Sequence, residues 1–175
     1  MRDSKFARYG PSPRYGIPPA GLCISSFAII RKGNRYLVGR ARRHPKWERE
    51  WAPNFSVYTK KDLDEEFRSW RLPCTYLKTG EHPDHALHRV MKDQLGIGKY
   101  SIWKSKVYTF YDPISWYPGK RHYDICFAYE IKTKEALSPR PWFAQLRYAK
   151  RNELRAGNFG SAIGDLTRRL GLVPR

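Results

Sequence analysis

Acidic side chains are scarce in this chain. Its 175 residues hold 16 Asp and Glu against 34 Lys and Arg, a formal balance of +18, and the pI is about 10.1. Such an excess repels itself and draws anionic partners, so a nucleic acid ranks before other ligands. An anionic membrane surface, or a surface merely kept solvated by its charge, fits the same balance. Cysteine is scarce as well: Cys23, Cys74 and Cys126 are odd in number, so they cannot all pair among themselves, and their spacing matches no zinc knuckle. Cys23 and Cys126 fall inside apolar strand patterns, so buried free thiols in a reducing setting are expected. No apolar run reaches the roughly 18 residues of a spanning helix. The first residues lack the apolar core of a secretory leader. An intracellular protein of the cytoplasm or an organellar matrix is the expectation. No repeat or low-complexity tract stands out.

What is present reads as one domain behind a basic arm. Residues 1–20 are rich in Pro, Gly, Arg and Tyr, which breaks any regular element and leaves arginines and tyrosines for phosphate contact and base stacking; disordered termini of this composition are also common. Residues 21–175 are long enough to bury a core of their own. Within them, Cys23 to Arg31 and Arg35 to Ala41 flank the turn signal Lys32-Gly33-Asn34, predicting a hairpin. Phe55 to Thr59 reads as a further strand, and Asp62 to Phe67 as a helical turn. Ile102 to Asp112, Tyr123 to Ile131 and Trp142 to Tyr148 alternate as strands. The tail reads as a helix capped by Asn158, with Phe159, Ile163, Leu166 and Leu170 as its buried stripe and Gly171 as its stop.

The stretch from Trp70 to Ile97, WRLPCTYLKTGEHPDHALHRVMKDQLGI, carries the most information. Leu87, Met91 and Leu95 recur every four residues, Pro83 stands near the start and Gly96 just past the end, as in any capped amphipathic helix. Taken jointly, Trp70, Leu72 and Pro73, then Gly80-Glu81, Ala86, Arg89, Met91, Leu95, Gly96 and Ile97 match a known signature without gaps. In this register the stretch resembles the box of the Nudix superfamily of pyrophosphohydrolases. The resemblance implies an α/β fold, a Nudix-like α/β/α sandwich with a mixed β-sheet, the loop-helix box at residues 70–97 and a C-terminal helix.

The departures from that box fall on its chemistry. Cys74 and Thr75 replace a Gly pair, Val90 stands where a Glu is expected, and a Glu pair becomes Asp93 and Gln94. On an ideal helix, positions 90, 93 and 94 lie within about a third of the circumference, so the family's anionic face keeps one formal charge here. Mg²⁺ is a hard ion that takes oxygen ligands at short distance. Valine offers it nothing, and glutamine only a neutral oxygen. The resemblance therefore implies at most a weak Mg²⁺ or Mn²⁺ site at Glu81, Asp93 and Gln94, with Glu81 and Asp93 catalytic only if activity survives. Asp62, Asp64, Glu65 and Glu66 are the densest acid cluster; they could supply replacement ligands, or simply favour a helix N-terminus. His82, His85 and His88 recur on the helix, where zinc binding with Asp84 competes with the plainer reading of exposed histidines.

Two basic groups suit phosphates. Arg40, Arg42, Arg43, His44 and Lys46 follow the second strand. Trp116 and Tyr117 interleave with Lys120, Arg121 and His122 beyond the fourth, a composition that can stack bases or merely cover a sheet. Two function classes follow. One is a Nudix-like domain with an eroded metal site that binds RNA, another nucleic acid or a nucleotide polyphosphate, within a ribonucleoprotein assembly or outside one. The other is a divalent-metal-dependent pyrophosphohydrolase acting on a nucleoside diphosphate derivative or an RNA 5′ end.

Overall fold

The computed structural model of the chain describes residues 22–43, 61, 64, 67–113, 121–138, 141–155, 158–159 and 161–173. The arm at residues 1–20, the expected strand at residues 55–59, Lys46, and the aromatic-basic group Trp116, Tyr117 and Lys120 lie outside these residues.

Six strands form the sheet: β1 (Leu22–Lys32), β2 (Arg35–Ala41), β3 (Cys74–Tyr76), β4 (Ser101–Pro113), β5 (Arg121–Lys132) and β6 (Phe143–Lys150). The order is β4-β5-β1-β2-β6, with β3 off this path and paired to β1. β1 runs parallel to β5 from Leu22↔Tyr123 to Ile30↔Ile131, and antiparallel to β3 at Ser25 to Phe27. The sheet is therefore mixed. The β1–β2 hairpin closes where the turn signal predicts, with Lys32 facing Arg35 and Gly33 at φ 60, a left-handed backbone that glycine adopts without steric cost.

β1 is buried on both sides, which is why it reads as the continuous apolar run Phe27-Ala28-Ile29-Ile30 rather than as an alternating one. Phe27 and Ile29 enter a core with Leu166, Leu172 and Val173 from the C-terminal helix and its exit. Ala28 and Ile30 enter another with Leu87, Val90, Met91 and Leu95 from the box helix. Helices thus cover the two faces, making the expected α/β/α sandwich.

The box helix begins as α1 (Pro83–Arg89) and continues as a π-helical turn over Val90–Gln94. It stops as predicted at Gly96, φ 68, where the Gly96 amide donates back to the Lys92 carbonyl at 3.2 Å, the single bond of a left-handed glycine cap, and the Ile97 amide to the Met91 carbonyl at 2.9 Å. The start of α1 is pinned to the sheet. Ser26 Oγ donates to the Pro83 carbonyl at 2.8 Å, and the Tyr129 hydroxyl donates to Asp84 at 2.7 Å.

The tail departs from its sequence reading. α2 spans Ser161–Arg169, beginning after Asn158, which therefore does not cap it. The Asn158 carbonyl instead accepts from the Trp70 amide at 2.8 Å, and Phe159 pairs alongside Trp70. The stop at Gly171 is as expected, with φ 65. Cys74 and Cys126 are buried free thiols, whereas Cys23 is only half-buried. Among the described residues no helix is long and apolar enough to cross a membrane.

Candidate functional site

The loop between β3 and α1 is organised around one ion pair. Arg89 Nε donates to Glu81 Oε1 at 2.7 Å and its Nη2 to Oε2 at 2.8 Å, a two-pronged geometry that fixes direction as well as distance. Nη2 also donates to the Tyr76 carbonyl at 2.8 Å, and Nη1 to Thr75 Oγ1 at 3.3 Å. The Lys78 amide completes the set by donating to Glu81 Oε2 at 2.8 Å. The Arg89 hydrogen bonds hold the Glu81 carboxyl below its ordinary range, opposed by burial and helped by the Lys78 amide. Glu81 thus ties the loop to the helix while remaining ionised, and its side chain is only 12% exposed.

The other three box positions separate. Val90 is fully buried in the core beneath the helix. Gln94 is buried, and its Nε2 donates to the Cys74 carbonyl at 2.8 Å. Asp93 is exposed. The single face expected of residues 90, 93 and 94 is therefore not formed: the turn widens into a π-helix, and two of the three side chains point at the sheet and at β3. Cys74 and Thr75, which replace the Gly pair, are strand residues paired with Phe27 and Ser26. No positive φ is required of them.

Mg²⁺ calls for several hard oxygens converging at short distance. Here Glu81 is held by a guanidinium, and the atom Gln94 turns toward β3 is a donor nitrogen. These positions do not fit the ion, and no step is derived through it. Among the described residues no group of three or more His, Cys, Asp and Glu could hold a metal. His82, His85 and His88 are exposed; His82 accepts from the Asp84 amide at 3.3 Å, capping α1, and His88 meets the Tyr100 hydroxyl at 3.4 Å. Asp64, the described member of the acid cluster, accepts from Arg43 at 2.6 Å.

The basic group after β2 is partly engaged. The Arg40 guanidinium lies over the Trp70 ring at 4.5 Å, and that of Arg147 at 4.8 Å from the same ring. Arg43 lies over Phe67 at 5.1 Å besides pairing with Asp64. Arg42 is exposed. Arg121, of the other basic group, begins β5.

On the opposite side of the sheet from the box helix lies a cleft of about 420 Å³ that no motif in the sequence marks. Its walls include Tyr36, Trp103, Arg31, Glu130 and Lys132. Trp103 is 63% exposed, with the Lys132 ammonium 4.6 Å from its ring centre and Arg31 5.7 Å from that of Tyr36. The signal in the sequence was local: a tryptophan followed by Lys104 and Lys106 in a strand that never becomes apolar enough for a core.

Comparison with solved structures shows which fold this architecture shares. The MutT protein of Methanosarcina mazei Go1 superposes with a TM-score of 0.56 at 11% identity, covering 86% of this chain and 93% of that one. The fold is that of the Nudix superfamily. Two further Nudix hydrolases agree: one from Nitrosomonas europaea, at TM-score 0.52, 14% identity, and 90% and 75% coverage, and MutT from Burkholderia pseudomallei, at 0.52, 14%, 86% and 95%. At such identities the likeness concerns the fold alone. No family model matches the sequence. A search of curated proteins finds no significant match.

Proposed function

We propose that this Nudix-fold domain binds RNA and hydrolyses little or nothing. The observation that carries the reading is the fate of the four box positions: Glu81 is clamped by Arg89, Val90 is buried in the core, Gln94 is bonded to the Cys74 carbonyl, and Asp93 alone presents a carboxylate to solvent. Around this weakened cation site the chain carries +18, which supports retention of polyphosphates rather than their cleavage. Arg40, Arg42, Arg43, Lys46, Trp116, Tyr117, Lys120 and Arg121 are the contacts proposed from the sequence. Membership of a ribonucleoprotein assembly fits the same charge.

A second reading, a Mg²⁺- or Mn²⁺-dependent pyrophosphohydrolase, is favoured by two facts. The similar structures are named as hydrolases, and Asp93 is exposed where a carboxylate ligand belongs. In that case Glu81, Asp93, Gln94 and an acid from residues 62–66 share the ion.

Incubation with Mg²⁺ or Mn²⁺ and a panel of nucleoside diphosphate derivatives and capped or triphosphorylated RNAs separates the two. No turnover is expected, together with RNA affinity whose log-log salt slope steepens by about 0.7 per phosphate neutralised on a single strand. Turnover abolished by Asp93→Ala would replace the first reading with the second.

A further inference from the structure

Trp103 sits in a fault of the β4–β5 ladder. Ile102 faces Ile131 and Lys104 faces Glu130, leaving Trp103 as the additional residue between them. A bulge of this kind re-aims a side chain. Here the indole comes to line the cleft between β4, the end of β1 and the residues after α2, whose floor includes Leu170 and Leu172. At about 420 Å³ the cleft falls within the range of small-ligand pockets, roughly 300–1,000 Å³. Cross-strand partners share a face. Lys104 opposite Glu130 and Lys106 opposite Ala128 therefore lie on the cleft's side of β4, since Glu130 lines the cleft and Ala128 belongs to the core on that side.

We propose that this cleft seats a base of a single-stranded RNA, stacked on Trp103, whose flanking phosphates run along β4 over Lys104 and Lys106. The inference rests on the RNA-binding reading above and gives it a surface distinct from the box. Lys132 lies over one face of the Trp103 ring, so the base stacks on the other; an aromatic face with cations near it is what sequence-tolerant single-strand binding requires, because every base has a π-face and every linkage a negative charge. β4 is an edge strand of 13 residues with Ile102, Trp103, Val107 and Tyr111 exposed, so a second copy of the chain, pairing edge to edge, is the competing occupant. Charge decides between them. Self-pairing would set two +18 bodies together along edges that carry Lys104 and Lys106, a device that blunts edge pairing. A polyanion neutralises both.

The test is binding of a dye-labelled single-stranded RNA oligonucleotide to the full chain across a salt series, with unfolding temperature and sedimentation measured alongside. Trp103→Ala is expected to weaken binding about 5- to 150-fold, the range for one stacked base, while Trp103→Phe keeps most of the affinity and neither variant melts earlier. Lys104→Ala with Lys106→Ala is expected to flatten the log-log salt slope by about 0.7 for each lysine removed. If the wild-type chain binds RNA and both the Trp103→Ala and the double-lysine variants bind as tightly, the cleft proposal falls and the RNA-binding reading stands. If the wild-type chain fails to bind at low salt, both fall. If Trp103→Ala instead dissolves a dimer and leaves RNA affinity untouched, the face serves self-association and the proposal is overturned.

Discussion

Arg89 grips Glu81 through two parallel hydrogen bonds of 2.7 and 2.8 Å across eight residues of chain. This pair ties the loop of the box to the helix. Because the two side chains are only 20% and 12% exposed, removing one leaves the other with little water to replace it. Arg89→Ala should destabilise the fold by about 3 kcal/mol, as for other shielded pairs broken on one side. The Glu81 carboxyl is held low in the folded state, so its contribution is fully present above the unfolded value of about 4.3 and is lost as pH falls through the depressed folded value. Urea midpoints followed from pH 7 to pH 3 should therefore decline in the wild-type chain. In Glu81→Gln the decline should be shallower, and an identical pH profile would show that the pair contributes nothing.

Gln94 makes a contrasting case. Its Nε2 donates to the Cys74 carbonyl from a buried position, so the residue that departs from the Nudix box pattern also joins the helix to β3. Gln94→Glu, which restores the family's residue type, would set a carboxylate against that carbonyl with no donor between them. A loss of about 1–3 kcal/mol is expected at pH 7, the cost of an unsatisfied buried polar group. Thermal unfolding in a chelator checks it. A variant as stable as the wild type would mean that Glu at 94 swings to solvent, leaving the site more readily restored than its packing indicates.

Much of this was legible in the chain, and the illegible parts share a cause. The hairpin at Gly33, the ends of β4 and β5, and the helix stop at Gly96 follow from local rules of turn residues and periodicity. The frame of the box was readable because Leu87, Met91 and Leu95 must be buried wherever the helix packs. Asn158 misled because capping propensity is local, whereas its carbonyl is taken by the Trp70 amide, 88 positions earlier in the chain. The face of residues 90, 93 and 94 misled because ideal α geometry does not foresee a π-helical turn. That Trp70, Phe67 and Asp64 lie against Arg40 and Arg43 was not legible either, because composition does not show long-range contacts. Trp103 was passed over because a bulge is a property of two strands, not one.

Gly39 marks a close crossing. Its amide and carbonyl exchange hydrogen bonds with Arg71 at 2.9 and 2.8 Å, which fastens the Trp70 segment across β2. A Cβ there would stand 2.5 Å from Phe143 Cδ1 and 2.9 Å from Leu146 Cδ2, and the Phe143 ring is buried with no room to retreat. Gly39→Ala should cost about 1–3 kcal/mol by overpacking, read as a lower denaturant midpoint. An unchanged midpoint would show that β6 yields easily.

The three thiols should differ in reactivity. Burial pushes the Cys126 thiol up to about 12, outweighing the hydrogen bond from Ser25, so its nucleophilic thiolate is almost absent at pH 8. Cys74 is buried too, whereas Cys23 is half-exposed. A chromogenic disulfide reagent should label one thiol per native chain promptly and all three after unfolding. Prompt labelling of Cys126 in the native chain would mean that β5 opens on its outer side.

Among the described residues Glu130 is the one acid lining the Trp103 cleft, and it gives that cleft a basis for choosing. A carboxylate only accepts hydrogen bonds, so it favours a base edge carrying an exocyclic amine, such as cytosine N4, over the O4 acceptor of uracil. Lys104, directly across the ladder, offsets part of its charge without supplying an acceptor. An oligo(C) strand should therefore compete better than oligo(U) for the wild-type chain, by a factor on the order of 5 for a single contact worth about 1 kcal/mol. Glu130→Ala should erase that preference and tighten oligo(U), since an acid is removed from the path of the phosphates. Should the two homopolymers bind the wild-type chain alike, or the preference survive in Glu130→Ala, the carboxylate does not read the base, and any selectivity in the cleft comes from stacking on Trp103 alone.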